Sequence, residues 1–273
     1  MHSTASDGAV APAQVVQRAH ELGLSAIALT DHDTIAGLPE AMAAGARLGL
    51  AVVGGCEFSV GVSWGEMHCL GYFLPPDSAE LDAFLVEARA DRERRMRAMI
   101  HKLTVAGAPI TDDDVLREAA GGSVGRPHVA RALVQAGHVA SVNAAFDKYL
   151  GRGRVAYVDK ALPPFREVAS LVHRIGGIVS AAHLKDRGTR QHLGRLADEG
   201  LDAVEVRHPS HDAETRLRLA DLAQLLGLGV SGGSDWHGDG PDGHGHAEMG
   251  SQDVPPEWLD QLEAQRPKPT PTA

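Results

Sequence analysis

The chain has 273 residues, 43% hydrophobic but only 4% aromatic, so its core must be built mostly from Ala, Val, Leu and Ile. A formal net charge of -10 argues against binding along a nucleic-acid backbone, which needs a basic surface, but leaves small phosphorylated ligands open because bound cations can reverse the local field. Cys56 and Cys69 lie in apolar runs and are expected to be reduced and buried; with no apolar stretch near about 18 residues and no basic, hydrophobic leader, a soluble cytoplasmic protein is expected.

Residues 1–8 form a small-residue loop holding His2 and Asp7. A helix is predicted from Pro12, with Val15, Val16, Ala19 and Leu22 on one face and a stop at Gly23. There follow a strand at Ala26–Thr30, a helix at Leu38–Leu48, and strands at Ala51–Cys56 and Glu66–Leu74. This order predicts parallel pairing with right-handed crossovers. Between residues 76 and 163 the pattern holds no strand, only amphipathic helices near Leu81–Ala106, Asp112–Ala120, Pro127–Ala136 and Val142–Leu150. Alternation resumes with a helix at Phe165–Ile175, strand Ile178–Ala182, helix Arg190–Glu199, strand Ala203–Val206, helix Ala213–Leu226, strand Gly229–Gly232 and a helix near Glu257–Gln265. The division expected is an α/β barrel from residues 1–75 and 164–266, a helical insertion at 76–163, and a disordered Pro-rich tail at 267–273.

Five of the apolar runs share one habit: each ends in groups that bind protons or metals. Ala26–Thr30 runs into Asp31-His32-Asp33, Ala51–Cys56 into Glu57, Gly177–Ala182 into His183, Ala203–Val206 into His208 and His211, and Gly229–Ser234 into Asp235 and His237. Chemistry at the carboxyl ends of successive parallel strands is what a closed α/β barrel produces. Asp235 and His237, two apart, would point to one side in extended geometry, as metal ligands or in a solvated turn. With Asp7 and His32 they make an oxygen and nitrogen set suited to Zn, Mn or Fe. A lone Glu57 at the end of an apolar strand needs a cation or a metal. His68 reads as a core histidine or a ligand, and His183 is followed by basic Lys185 and Arg187. His208 and His211 are open between ligand, phosphate contact and surface loop. His244 and His246 are expected in solvent, and His20, His101, His138, His173 and His192 fall in helices as ordinary residues. There is no Gly-rich phosphate loop, serine nucleophile elbow or paired CxxC. A mixed His/Asp/Glu cluster large enough for two or three metals can lower the pKa of a bound water towards roughly 7 and clamp phosphoryl oxygens.

The motifs His2-Ser3-Thr4-Ala5-Ser6-Asp7-Gly8, Thr30-Asp31-His32-Asp33-Thr34, Gly55-Cys56-Glu57-Phe58-Ser59, Gly125-Arg126-Pro127-His128 and Gly233-Ser234-Asp235-Trp236-His237 resemble the PHP (polymerase and histidinol phosphatase) family. The resemblance is nearest to stand-alone bacterial phosphoesterases acting on 3',5'-nucleoside bisphosphates and short RNA 5' ends. It implies a distorted seven-stranded β/α barrel with the helical insertion over its mouth. By that resemblance Asp7, His32 and His237 look like ligands of one metal site, beside His2; Glu57 looks like a bridging carboxylate, His68 and His183 like ligands of another metal, and Asp235 like a shared ligand. His32, Glu57, Asp235 and His237 are then the catalytic set, while Arg126 and His128, together with His208, are expected to grip the substrate phosphate distant from the metals. In the family a first strand and a first imidazole precede His2, so the barrel is expected to show its opening strand missing.

The function implied is hydrolysis of a phosphomonoester by metal-activated hydroxide, with two or three divalent ions (Mn, Zn or Fe) and an imidazole near the cluster protonating the leaving oxygen. The substrate expected is a nucleotide or short oligonucleotide 5' end, with no membrane, long nucleic acid or obligate protein partner. A histidinol phosphate phosphatase is the rival within the class, and an inactive phosphate-binding protein the rival outside it. A polymerase-associated proofreading module is disfavoured because no polymerase-like region follows.

Overall fold

The computed structural model describes residues 1–239 and 247–267. His244, His246 and all of the expected tail beyond Pro267 lie outside them. Six strands form one curled, mixed sheet in the order β1 (Ala26–Leu29), β2 (Ala51–Val62), β3 (Gly65–Tyr72), β4 (Ile178–Ala181), β5 (Ala203–Arg207) and β6 (Gly229–Gly232). The six strands among the described residues are the six read from sequence, but the barrel reading needs one correction: pairing is not parallel throughout, since β3 runs antiparallel to both β2 and β4. The cause is the link between β2 and β3, which is only Ser63-Trp64, closed by Gly65 at φ 119°. Two residues close a hairpin, whereas a parallel crossover takes a dozen or more. β2 consequently runs on past Cys56 to Val62, and Glu57 lies inside this strand rather than at its end.

At the outer edges of β1 and β6, the first two residues lie between the two strands. Thr30 N–H donates to Met1 O at 2.9 Å, and His2 N–H donates to Trp236 O at 2.9 Å. His2 is thereby anchored by its own main chain at the mouth of the sheet.

Helices α1 (Pro12–Glu21), α2 (Leu38–Leu48), α7 (Phe165–Arg174), α8 (Arg190–Asp198) and α9 (Ala213–Leu226) follow the alternation read from sequence, and α10 (Glu257–Ala264) closes the chain. Their apolar stripes face the sheet; in α7 it is Phe165, Val168, Ala169, Leu171 and Val172 that are buried. Between β3 and α7 lie α3 (Ala79–Val105), α4 (Asp112–Ala119), α5 (Arg126–Gln135) and α6 (Val142–Ala145). The helix expected across Val142–Leu150 widens after Ala145 into a π turn, Phe146–Leu150. Three hydrophobic clusters result among the described residues. One gathers Val16, Leu29, Phe58, Val179 and Val204 around the sheet; a second, Met96, Leu103, Val129, Leu133 and Leu150, belongs to the helices alone; a third and smaller one joins Leu70, Tyr72, Ile178 and Ala203 to Leu262 of α10. α3 serves the first two, with Leu81 and Leu85 in the first and Met96 and Leu103 in the second. Among the described residues no helix is long and apolar enough to cross a membrane.

Candidate metal centre

The motif Thr30-Asp31-His32-Asp33 divides its work. Asp31 is buried and accepts from Ser3 N–H (2.7 Å), Ser3 Oγ (2.7 Å) and Ser6 Oγ (2.6 Å), so it folds the N-terminal loop that carries His2 and Asp7. Gly8 lets that loop close, because a Cβ there would sit 2.6 Å from the His2 carbonyl. Asp33 turns away at φ 50° and takes Arg92 from α3, with Nε at 2.8 Å and Nη2 at 2.6 Å, while Arg92 Nη1 donates to Val124 O at 3.1 Å. Against its burial, the guanidinium holds the Asp33 carboxyl below the usual carboxylate range. Only the central residue, His32, faces the cluster.

Glu57 is the hub. Its Oε1 lies 2.6 Å from His68 Nδ1 and 3.1 Å from His183 Nε2; its Oε2 lies 3.1 Å from His2 Nε2 and 3.7 Å from His32 Nδ1. Asp7 meets His237 Nε2 at 3.4 Å and His32 Nε2 at 3.8 Å, and Asp235 meets His2 Nε2 at 3.1 Å and His208 Nε2 at 3.6 Å. Three overlapping groups have ligand atoms within 4.8 Å of one another: His2, Asp7, His32 and His237; His32, Glu57 and His68; and His2, Glu57 and Asp235. All eight residues expected as metal ligands thus converge on one place. His183 and Asp235 reach it from strained backbone, at φ 33° and φ 51°, just beyond β4 and β6. The extended geometry expected around Asp235 is therefore absent, and the two-residue spacing is not what aims it. Seven imidazoles run side by side in the order His237, His2, His32, His68, His183, His208, His211, with successive ring centres 4.0 to 5.5 Å apart.

These residues fit divalent cations on chemical grounds. Buried His2 Nδ1, His32 Nδ1 and His208 Nε2 have no hydrogen-bond partner, a costly state for atoms that are not ligands. Without ions, protons compensate the carboxylates. Although burial opposes it, Asp235 and Glu57 raise the pKa of His2 to about 10, and Glu57 raises that of His68 to about 9, whereas burial lowers that of His32 to about 3. Metal must displace those protons, so affinity falls as pH falls. Adding Mn(II) to metal-free protein at pH 7.5 is expected to release protons, chiefly from His2 and His68; titration in two buffers of different ionisation enthalpy checks this, and no release would contradict it.

The three residues expected to grip phosphate separate. Arg126, at the start of α5, lines a cleft of about 700 Å³ that also borders His68 and His183. Its guanidinium lies 5.7 Å from the Phe146 ring centre and 5.8 Å from that of Tyr157, Phe146 being presented by the π turn. His208 stands in the cluster, next to His183 and Asp235. His128 is buried and does not line the cleft; its Nδ1 accepts Gly125 N–H at 2.9 Å, and burial lowers its pKa to about 4. It braces the turn that presents Arg126.

Three further polar groups escaped the sequence reading. Glu205, buried in β5, accepts His183 N–H at 2.7 Å, and burial raises its pKa to about 8. Glu66 lies 3.4 Å from His68 Nε2 and pairs with Lys160, which also donates to Ser59 Oγ at 2.9 Å. A carboxylate inside the apolar run Ala203–Val206 was the available signal for Glu205, the same one that marked Glu57. Nothing local marks Glu66 or Lys160, which come from segments 94 residues apart.

The sequence profile of the PHP domain matches residues 1–211. The chain is 35% identical over 241 residues to a 5'-3' exoribonuclease of Haemophilus influenzae, covering 86% of this chain and 88% of that protein. It is 35% identical over 269 residues to a 3',5'-nucleoside bisphosphate phosphatase of Chromobacterium violaceum, covering 93% and 91%. A crystal structure from Bifidobacterium adolescentis, of a protein assigned as a metal-dependent phosphoesterase, superposes with a TM-score of 0.88 at 32% identity over 97% of this chain and 94% of that one. With the cluster in place on the matching fold, the chain belongs to the PHP domain family of metal-dependent phosphoesterases.

Proposed function

We propose that this phosphoesterase removes a phosphoryl group from a 3',5'-nucleoside bisphosphate or from the 5' end of a short oligonucleotide. The observation that carries the reading is Arg126, a cation set between two aromatic rings in the cleft that the imidazoles of His68 and His183 border. It offers a second phosphate its own partner, apart from the metal ligands. A guanidinium, planar by its own delocalisation, suits that role as a fork, and its aromatic neighbours help hold it in place.

Two or three divalent cations held by His2, Asp7, His32, Glu57, His68, His183, Asp235 and His237 would supply Lewis acidity towards a phosphoryl oxygen and acidify a water molecule. Glu57, with an imidazole pair at each oxygen, would help hold such ions from either oxygen. Glu66, itself paired with Lys160, meets His68 at its far nitrogen, as supporting partners of ligand histidines do.

The test is a substrate panel with Mn(II): adenosine 3',5'-bisphosphate, adenosine 5'-monophosphate and histidinol phosphate. Preference for the bisphosphate is expected, and Arg126→Ala should raise its KM roughly 10- to 100-fold, the size of one lost charged hydrogen-bonding pair, while the KM for the monophosphate changes far less. Preference for histidinol phosphate, or equal effects of the substitution on both nucleotides, would overturn the reading. Tight binding without turnover would point to a phosphate-binding protein.

A further inference from the structure

We propose that Trp64 is the platform on which the base of the substrate stacks, so that the site selects nucleotides over base-free phosphate esters. This rests on the nucleotide reading above and names the part of the site that the phosphates do not explain.

Trp64 occupies the two-residue hairpin between β2 and β3 and lines the same cleft as His68 and Arg126. It lies four residues from His68, or about 13 Å along an extended chain, a gap of the order that a sugar and base bridge. The indole is partly exposed. It lies parallel to the His192 imidazole, with ring centres 3.8 Å apart and planes 19° from each other. His192 is itself fixed: its Nδ1 lies 2.7 Å from Arg187 O, and its N–H donates to Thr189 Oγ1 at 3.2 Å. Arg187 Nη1 in turn donates to Glu66 O at 3.2 Å, tying this segment to the hairpin. The indole is thus a rigid flat surface, backed on one side and bordering the cleft.

The rest of the lining shows why a base belongs there. Arg126, Arg152, Lys160, Lys185 and Arg187 line it against three carboxylates, Glu66, Asp159 and Asp186, an excess of cations in a chain whose net charge is -10, which suits phosphates. The other aromatic ring on the cleft, Tyr157, already has the Arg126 guanidinium 5.8 Å from its centre. Every base has a π face, so a partly exposed indole on the cleft gives affinity for nucleotides without favouring one base.

The experiment compares adenosine 3',5'-bisphosphate with the same bisphosphate carrying hydrogen in place of the base, using the full chain with Mn(II). The wild type is expected to favour the nucleotide in KM, and Trp64→Ala should reduce that preference by about 10- to 100-fold while kcat for the nucleotide moves little. Trp64→Phe should retain most of the preference; Trp64→Leu, which keeps apolar bulk but no flat face, should lose it, separating stacking from packing. Equal KM values for both esters in the wild type, or equal shifts of both in Trp64→Ala, would overturn the platform. If neither ester is hydrolysed, the nucleotide phosphoesterase reading fails instead. Equilibrium binding of the two esters to wild type and Trp64→Leu then decides the platform by itself: a preference lost in the variant supports it, and an unchanged or absent preference overturns it.

Discussion

Replacing Glu57 by Gln is expected to lower phosphoesterase activity by roughly a thousandfold or more and to leave the purified protein short of metal. The carboxylate is buried, and each of its oxygens faces two imidazoles, His68 and His183 on one side, His2 and His32 on the other. An amide keeps the shape but loses the charge, and its NH₂ end cannot be a ligand. Two ions would lose their common partner, and the several kcal/mol of charge stabilisation that such ions give a phosphoryl transition state convert, at about 1.4 kcal/mol per tenfold, to a loss of this size. Metal content by elemental analysis, together with the rate, checks it. Full metal content at an undiminished rate would show that Glu57 is not the hub. An unchanged melting temperature in Glu57→Gln separates loss of the site from loss of the fold.

Arg92→Ala should cost about 3–5 kcal/mol of stability, because it strands the buried Asp33 carboxylate. For a chain of this size that corresponds to a fall in melting temperature of roughly 10 °C, measurable by calorimetry. The pair sits where α3 leaves the sheet, so its loss also loosens the loop holding His32, and activity should fall with stability. Arg92→Met combined with Asp33→Asn should recover much of the lost stability, since no buried charge is then left alone. A shift below about 2 °C in the single variant would mean that water reaches Asp33 and that the pair is a minor contact.

Much of this site was legible in the sequence because strand ends have a simple signature: an apolar run that stops abruptly at a histidine or carboxylate. That signature found His32, His183, Asp235 and His237, and the lone acid after Ala51–Cys56 found Glu57. It could not say what each acid does. Asp31 and Asp33 flank His32 and look like ligands, yet one folds the N-terminal loop and the other binds Arg92, 59 residues away. The hairpin was readable in principle from Ser63-Trp64-Gly65, but alternation elsewhere made a parallel partner the natural expectation. His128 shows a different limit. Its place in Gly-Arg-Pro-His fitted a phosphate contact, but a histidine three residues into a helix can turn back to accept the N–H of the residue before that helix, and this one does.

The two-residue connection at Ser63-Trp64 also decides which side chains reach the mouth of the sheet. Along β2 and β3, Cys56 and Cys69 directly adjoin Glu57 and His68 but point into the opposite, oil-like side of the sheet. Shifting either strand by a single position would exchange sulfur for oxygen or nitrogen at the mouth. The cluster would then favour thiophilic ions and would be open to oxidative damage. A turn too short to slip therefore keeps the mouth lined with oxygen and nitrogen and free of thiols, although both thiols lie one step along the chain.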